Sequence, residues 1–155
     1  MQNKPKIQAM KKLILIATLM SSVLFFSCAK DKKTAITFDQ LPVAAQTFLE
    51  THFSDLSLLS IIKEEDGREV EYEVKYADLT EVNFDKNGNW EKVERQGVAV
   101  PDAIIPTTIL SYVKANFPEG NFIVEIDKER NGYEVKLNSG LDLEFDRNGN
   151  FIRID

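Results

Sequence analysis

Apolar and polar residues alternate with two different periods along this chain, and each period occurs twice. Apolar residues recur every three to four positions from Leu41 to Phe53 and from Ile105 to Phe117, which predicts two amphipathic helices. After each helix the period falls to two, as in VEYEVKY and LDLEF, which predicts half-buried strands. The predicted strands lie near residues 57–65, 68–77, 79–85, 89–95, 121–129, 131–138, 140–146 and 150–154.

Turn and cap residues fall between these stretches. Pro42 and Pro106 stand near the start of each helix, where a missing amide hydrogen costs little, and Asp39 and Asp102 are candidate N-terminal caps or acidic first-turn flanks. Asn-Gly pairs separate the last two strands of each half, which favours tight two-residue hairpins.

The two halves of this pattern are copies of each other. YEVKYADLTEVNFDKNGNWEKVE, residues 72–94, aligns without a gap to YEVKLNSGLDLEFDRNGNFIRID, residues 133–155. We therefore predict an α+β fold of two tandem modules, residues 37–96 and 97–155. Each module is one helix followed by a four-stranded antiparallel meander, with the helix on one sheet face and the charged face open. Units of about 60 residues bury little surface alone, so the copies should share an interface.

The first 27 residues have the features of a secretory signal peptide, and residues 28–36 have those of a polar linker. Four lysines precede an apolar run from Leu13 to Phe26, which is shorter than the roughly 20 residues that span a bilayer. The Lys-Lys pair after Met10 makes either Met1 or Met10 a candidate start. The run ends in LFFSCAK, which resembles the lipobox of bacterial lipoproteins and implies lipidation of Cys28, the only cysteine. The predicted location is the bacterial envelope, lipid-anchored at the periplasmic or cell-surface face of the outer membrane.

The net negative charge of the chain disfavours nucleic acids as partners. Cleavage after residue 27 would leave 15 basic and 25 acidic residues, and the formal charge would change from −6 to −10. Nucleic-acid backbones require clustered Lys and Arg, so we expect no nucleic-acid binding. We expect membrane contact only through the lipid anchor.

No catalytic signature is present, and we expect no enzymatic activity and no cofactor. His52 is the only histidine and stands at the end of a predicted helix, and no nucleophile motif accompanies it. Two stretches repeat an oxygen-rich D-x-N-x-N spacing, which resembles the start of a calcium loop. Their glycine is at the fourth place instead of the sixth and no twelfth-place Glu follows, so a turn is the simpler interpretation. The weak metal candidates are Asp85, Asn87, Asn89, Asp146, Asn148 and Asn150.

The ordered signals resemble the PepSY-like, β-lactamase-inhibitor-like family of exported proteins. Each copy has a proline early in its helix (QLPVAAQTFLETHF, IIPTTILSYVKANFP), then YEVK, then FDKNGNW or FDRNGNF. In inhibitor members of this family, tandem modules form a curved sheet whose concave side grips an enzyme. The resemblance implies a binding or inhibitory role and transfers no contact residue.

The leading hypothesis is a lipid-anchored, non-enzymatic envelope module that binds another exported protein. If the module is an inhibitor, that partner is an enzyme. The alternative is a small-ligand or cation-binding envelope protein, and a structural spacer is a third interpretation. Candidate partner-binding residues are Trp90, a large aromatic at the start of a strand, and the acidic sheet face, represented by Glu69, Glu71 and Glu73.

Overall fold

The period-two stretches form one antiparallel sheet of nine strands, seen in a computed structural model that describes residues 32–155. Each strand pairs with its neighbours in sequence, so the order across the sheet is the order along the chain. The strands are β1 Lys32–Ala35, β2 Leu58–Asp66, β3 Glu69–Tyr76, β4 Glu81–Asp85, β5 Trp90–Glu94, β6 Ile123–Glu129, β7 Gly132–Leu137, β8 Asp142–Asp146 and β9 Phe151–Ile154.

The two amphipathic stretches form α1, Val43–His52, and α2, Thr107–Asn116, and a 3-10 turn covers Phe38–Gln40. Pro42 and Pro106 hold the N-cap positions, and their carbonyls accept the first helical hydrogen bonds, at 3.1 and 3.0 Å. Both predicted roles of the aspartates are wrong, because neither helix has a side-chain cap or an acidic residue in its first turn. Asp39 lies in the 3-10 turn, and Asp102 pairs with Lys114 at 3.0 Å.

The predicted fold class, two tandem modules of one helix and four strands each, is wrong, because both copies contribute to a single nine-stranded sheet. Residues 92–94 of β5 pair with residues 125–127 of β6, which joins the last strand of the first copy to the first strand of the second. Two separate sheets would leave the backbone N–H and C=O groups of these strands unpaired at exposed edges. Their pairing also places Val93 opposite Ile126, and both are fully buried.

The ninth strand, β1, falls within residues 28–36, the predicted polar linker. It pairs with β2, where Ala35 lies opposite Ile62, and the next residue, Ile36, donates its N–H to the Ile61 carbonyl at 3.0 Å. Ile36 packs against the core. β1 thus closes the edge of β2 much as β5 closes the edge of β6.

The two copies differ in the length of their first hairpin. Val74 of β3 pairs with Ile61, whereas its counterpart Val135 of β7 pairs with Ile126. The β2–β3 hairpin is therefore four residues longer than the β6–β7 hairpin. The stretch from Pro42 to Ile61 is one residue shorter than the stretch from Pro106 to Ile126, so the net difference is three, and the helices are offset by 64 residues whereas the later strands are offset by 61.

Both helices lie on one face of the sheet and enclose one continuous core. Their buried residues are Ala45 and Leu49 in α1 and Ile109 and Val113 in α2. The connection between the copies adds Val100, Ile104 and Ile105 to the same cluster. The strands contribute the side chains that alternate toward this face, namely Ile61, Tyr72, Val74, Tyr76, Val82, Phe84, Val93, Ile123, Ile126, Val135, Leu137, Leu143 and Phe145.

Candidate functional site

The sheet face opposite the helices, here termed the open face, is charged. Strand alternation sets its composition: Tyr72 and Val74 point into the core, so Glu71 and Glu73 point the other way. No helix or strand of residues 32–155 lies over it. By strand register, its carboxylates include Glu64, Glu69, Glu71, Glu73, Glu81, Glu94, Glu125, Asp127, Glu134, Asp142 and Glu144, and its basic residues include Lys33, Lys75, Lys92, Lys136 and Arg153.

Ion pairs run across the open face, and one joins the two copies. The ammonium of Lys92 on β5 is 2.7 Å from a Glu125 oxygen on β6 and 3.3 Å from Glu94. Burial alone would lower the pKa of Lys92, but its hydrogen bonds to Glu125 and Glu94 outweigh burial and raise it. Lys92 therefore stays charged and fixes the β5–β6 junction on this face.

Asp127 and Glu134 on the open face and Glu91 beside it are among the carboxylates that form no ion pair within residues 32–155, and in these three burial raises the pKa. Burial raises the pKa of Asp127, and Lys92 offsets this effect only in part. Burial, together with the nearby charges of Asp142 and Asp127, also raises the pKa of Glu134. The pKa of Glu91 is raised mainly by burial and then by the neighbouring Asp85. These carboxylates carry negative charge that the protein itself does not neutralise.

The predicted partner-binding residues do not come together. Glu69, Glu71 and Glu73 follow one another along β3 on the open face, and Glu71 accepts a hydrogen bond from the Asn83 side chain at 2.6 Å. Trp90 pairs with the buried Phe84 and so lies on the helix-covered face.

Trp90 is half-buried in an aromatic cluster beside α1. Its ring stacks on Phe48 at a centroid distance of 6.3 Å, and the Lys128 ammonium lies 3.5 Å from the ring centroid. Phe151 in the second copy stacks on Tyr112 of α2 at 4.6 Å in the same way. Both rings therefore pack against the helix of their own copy. Period-two patterning alone could not assign Trp90 to a face of the sheet, because a β-bulge shifts the register next to the Phe84–Trp90 pair.

The D-x-N-x-N stretches form turns that use their own aspartate. Asp85 Oδ1 accepts the backbone N–H groups of Asn87 and Asn89 at 2.8 and 2.9 Å, and Oδ2 accepts the Asn89 side-chain amide at 2.9 Å. Burial would raise the pKa of Asp85, but the hydrogen bonds from Asn89 and Asn87 hold it below its usual range.

The second copy repeats this arrangement. Asp146 Oδ1 accepts the N–H groups of Asn148 and Asn150, both at 2.8 Å. Within residues 32–155 no three carboxylate, imidazole or thiol groups cluster as metal ligands. The weak metal candidates thus lie in two turns that are held by hydrogen bonds to their own aspartate. One turn joins β4 to β5, and the other joins β8 to β9.

The predicted two-residue hairpin geometry at these turns is wrong. Asp85 N–H bonds the Asn89 carbonyl at 2.9 Å, so three residues form the loop, and only its glycine, Gly88, has a positive φ, of 84°. A type I′ hairpin would require a positive φ at Asn87 as well.

Each of these turns also supports the first turn of the helix in its own copy. A Cβ added at Gly88 would lie 2.8 Å from both the Ala45 nitrogen and the Pro42 Cβ at the start of α1. In the second copy a Cβ at Gly149 would collide with Thr108 of α2, whose hydroxyl donates to the Asn148 carbonyl at 3.2 Å. Sequence reasoning missed this contact, although proline and NGN recurred together in both copies.

Cys28, the predicted lipidation site, lies outside the described residues, as does the predicted signal peptide. Within residues 32–155 no helix is both long and apolar enough to cross a bilayer. His52 packs its ring against Phe48 at 4.8 Å, and no described side chain forms a hydrogen bond with it. No arrangement of nucleophile and base is therefore found in this part of the chain.

Comparison with known proteins identifies the family. The sequence profile of the family "Putative beta-lactamase-inhibitor-like, PepSY-like" matches residues 27–74 and again residues 70–153, consistent with a tandem repeat. No curated protein matches the chain.

Three solved structures of Bacteroides proteins share the fold. A "putative periplasmic protein" from Bacteroides vulgatus is 36% identical, with a TM-score of 0.76 over 80% of this chain and 97% of that chain. A "putative calcium-regulated periplasmic protein" from Bacteroides thetaiotaomicron is 39% identical, with a TM-score of 0.76 over 79% and 96%. A second Bacteroides vulgatus protein, a "putative periplasmic protein of unknown function", is 35% identical, with a TM-score of 0.75 over 81% and 99%.

These matches have two consequences. Nearly the whole of each solved chain corresponds to about four-fifths of this one, so in these relatives a chain of that extent is enough to form the fold. The descriptions of all three relatives support a periplasmic location. By two profile matches and by relatives of this similarity, the chain belongs to the PepSY-like, beta-lactamase-inhibitor-like family.

Proposed function

We propose that this protein is an exported, non-enzymatic binding module, anchored to the bacterial envelope by a lipid on Cys28, whose open face binds another exported protein. The observation that carries the proposal is the set of carboxylates on and beside the open face that the protein does not neutralise, chiefly Asp127, Glu134 and Glu91. The family description supports an enzyme as the partner, and the relatives support the periplasm as its compartment.

The physical argument is one of charge complementarity. Asp127 and Glu134 face each other across β6 and β7. Lys92 lies opposite Asp127 on β5, but its ammonium forms its ion pairs with Glu94 and Glu125, and neither Asp127 nor Glu134 belongs to an ion pair of the described residues. A partner that places Lys or Arg side chains between them would neutralise like charges that are already partly desolvated. Such pairs favour encounter and register more than raw affinity, so binding should weaken as the salt concentration rises.

The test uses the fragment from Lys30 to Asp155 as bait on envelope and secreted proteins of the source cells, with mass spectrometry. We expect a stoichiometric partner that is lost with the double variant Asp127→Asn, Glu134→Gln. The matched control is Glu50→Gln, Asp55→Asn, which removes two exposed carboxylates from the helix side of the sheet. Capture that survives the first variant, or that the control abolishes equally, would contradict the use of the open face.

A cation is the second candidate ligand, and a specific observation favours it. One relative is described as calcium-regulated, and uncompensated carboxylates are oxygen donors of the type that Ca²⁺ prefers. Here Ca²⁺ should raise the melting temperature of the fragment at fixed protein concentration, and Asp127→Asn, Glu134→Gln should abolish the rise. An unchanged melting temperature together with no recovered partner would leave the structural-spacer interpretation.

A further inference from the structure

Strand β9 occupies the same place in the second copy that β5 occupies in the first, but its outer edge is unpaired among the described residues. Arg153, Ile154 and Asp155 align with Lys92, Val93 and Glu94 at the repeat offset of 61. β5 has β4 on one side and β6 on the other, whereas β9 has only β8. The molecule therefore contains its own example of what a strand in this position does when it has a second neighbour.

The missing neighbour of β9 leaves the side chain of Ile154 exposed. Val93 is 0% exposed because Ile126 of β6 lies opposite it, whereas its counterpart Ile154 is 51% exposed. Burial of a side chain of this size is worth about 1.5–3 kcal/mol when complete, so an exposed Ile on an edge strand favours a further strand beside it.

The backbone of β9 is oriented to accept that strand. Asp155 donates its N–H inward to the Asp142 carbonyl at 3.0 Å, so the N–H and C=O groups of Ile154 point outward by strand alternation. β9 carries a bulge after Phe151, and bulges often protect sheet edges. β5 has the equivalent bulge after Trp90 and still pairs with β6 through residues 92–94, so the bulge does not prevent pairing.

The order of charges on β9 is complementary to itself. In an antiparallel pair centred on Ile154, that residue faces its own copy and Arg153 faces Asp155 of the partner subunit, twice by symmetry. We propose that two copies of this protein pair their β9 edges about such a two-fold axis, which joins two nine-stranded sheets into one. Interfaces of this kind are isologous, because the same patch is used on both subunits.

The other exposed edge does not offer the same complementarity. β1 presents Lys33 and Ala35 on the open face and no carboxylate, so a head-to-tail pair of β9 with β1 would offer Arg153 only the like charge of Lys33 on that face. In the symmetric pair, Arg153 keeps Glu144 and the Asp155 of its own chain, which its Nε contacts at 2.8 Å, and gains a second Asp155 carboxylate from across the interface. Lys92 lies in the same way between Glu94 and Glu125 at the junction of the two copies.

The test is the mass of the Lys30 to Asp155 fragment over a series of concentrations, by sedimentation equilibrium. The contact involves one short strand from each copy, so it falls in the class of small, weak interfaces and should dissociate on dilution. The wild type should approach twice the monomer mass at the highest concentrations. Arg153→Asp and Asp155→Arg should each remain monomeric, because each opposes like charges at both symmetric positions.

The decisive sample is an equimolar mixture of these two single variants. Acid-Ile-acid and base-Ile-base strands are complementary, so the mixture should recover the dimer mass that neither variant reaches alone. Lys33→Asp on β1 is the matched control, since it also removes an exposed base from an ion pair on an edge strand, and it should dimerise as the wild type does. The urea midpoint of each variant establishes that it is folded.

Several results would overturn the proposal. A wild type that stays monomeric throughout the series, or a mixture that does not regain the dimer, excludes the symmetric β9 contact. Loss of association in Lys33→Asp with retention in Arg153→Asp would assign it to β1. Growth beyond the dimer would indicate a head-to-tail contact. The proposal does not depend on the open-face partner, because the capture variants leave β9 unchanged.

Discussion

Replacement of Gly88 by alanine tests whether the turn between β4 and β5 supports α1. Gly88 has a φ of 84°, a left-handed conformation that costs a residue with a Cβ about 1–2 kcal/mol. The new Cβ would also lie 2.8 Å from the Ala45 backbone nitrogen and 2.8 Å from the Pro42 Cβ. Neither atom belongs to a flexible side chain, so the turn or the helix must move.

The expected loss in the free energy of unfolding has two parts. The left-handed conformation contributes about 1–2 kcal/mol, and overpacking of a tight contact contributes about 1–3 kcal/mol, so Gly88→Ala should lose about 2–5 kcal/mol. Gly140→Ala is the matched control, because Gly140 has a φ of 86° and nothing within 4 Å of the added Cβ. It should lose only the first part, about 1–2 kcal/mol.

The assay is urea denaturation of the Lys30 to Asp155 fragment, with the fluorescence of Trp90 as the probe, because Trp90 is the only tryptophan. Two-state behaviour should hold if both copies share one core, so a shift in midpoint at constant slope reports the free energy. Equal losses for Gly88→Ala and Gly140→Ala would refute the contact between turn and helix. A change in slope for Gly88→Ala alone would instead indicate that α1 detaches before the sheet unfolds.

Three further predictions concern charged groups. Asp127→Asn should raise the melting temperature at neutral pH, because burial raises the pKa of Asp127 and its charge therefore opposes folding; the gain should vanish below about pH 4, where the wild-type carboxyl is protonated. Asp85→Ala should lose about 1 kcal/mol in urea denaturation at neutral pH. The wild type should lose the same contribution as the pH falls below about 3.9 and through the lowered folded-state pKa, whereas the variant should not. Lys128→Gln should lose about 0.5–1 kcal/mol and change the Trp90 emission, because it removes the ammonium over that ring; an unchanged spectrum would contradict the contact.

Local elements were predictable because their signals are local. Eight of the nine strands lie where period-two patterning placed them, and both helices begin directly after the prolines that mark them. β1 was missed because KKTA has no alternation and only one small apolar residue, Ala35, and all four of its side chains are exposed. It is a strand because the backbone of β2 offers it a partner, and that reason is not contained in its own residues.

The joining of the two copies was not predictable from either copy alone. Val93 and Ile126 look like ordinary core residues of separate modules, and only their pairing shows that the sheet continues. The predicted partner-binding residues lie on opposite faces of the sheet, and this too could not be predicted from the local pattern. Alternation placed Glu69, Glu71 and Glu73 on one face, whereas the side of Trp90 depended on a bulge between Asn83 and Phe84. Asp127 and Glu134 could not be singled out, because only the structure shows that Lys92, which lies opposite Asp127, forms its ion pairs with Glu94 and Glu125 instead.

The sequential order of the strands bears on how quickly the chain folds. β-Proteins fold slowly when strands distant in sequence must pair, because closing the loop between them costs conformational entropy before the stabilising contacts form. Here each of the eight strand pairings joins neighbours in sequence, and only the β1–β2 and β5–β6 pairs have a helix between them. Folding can therefore proceed by hairpins that add to one another, and the slowest steps should be the closures that enclose α1 and α2.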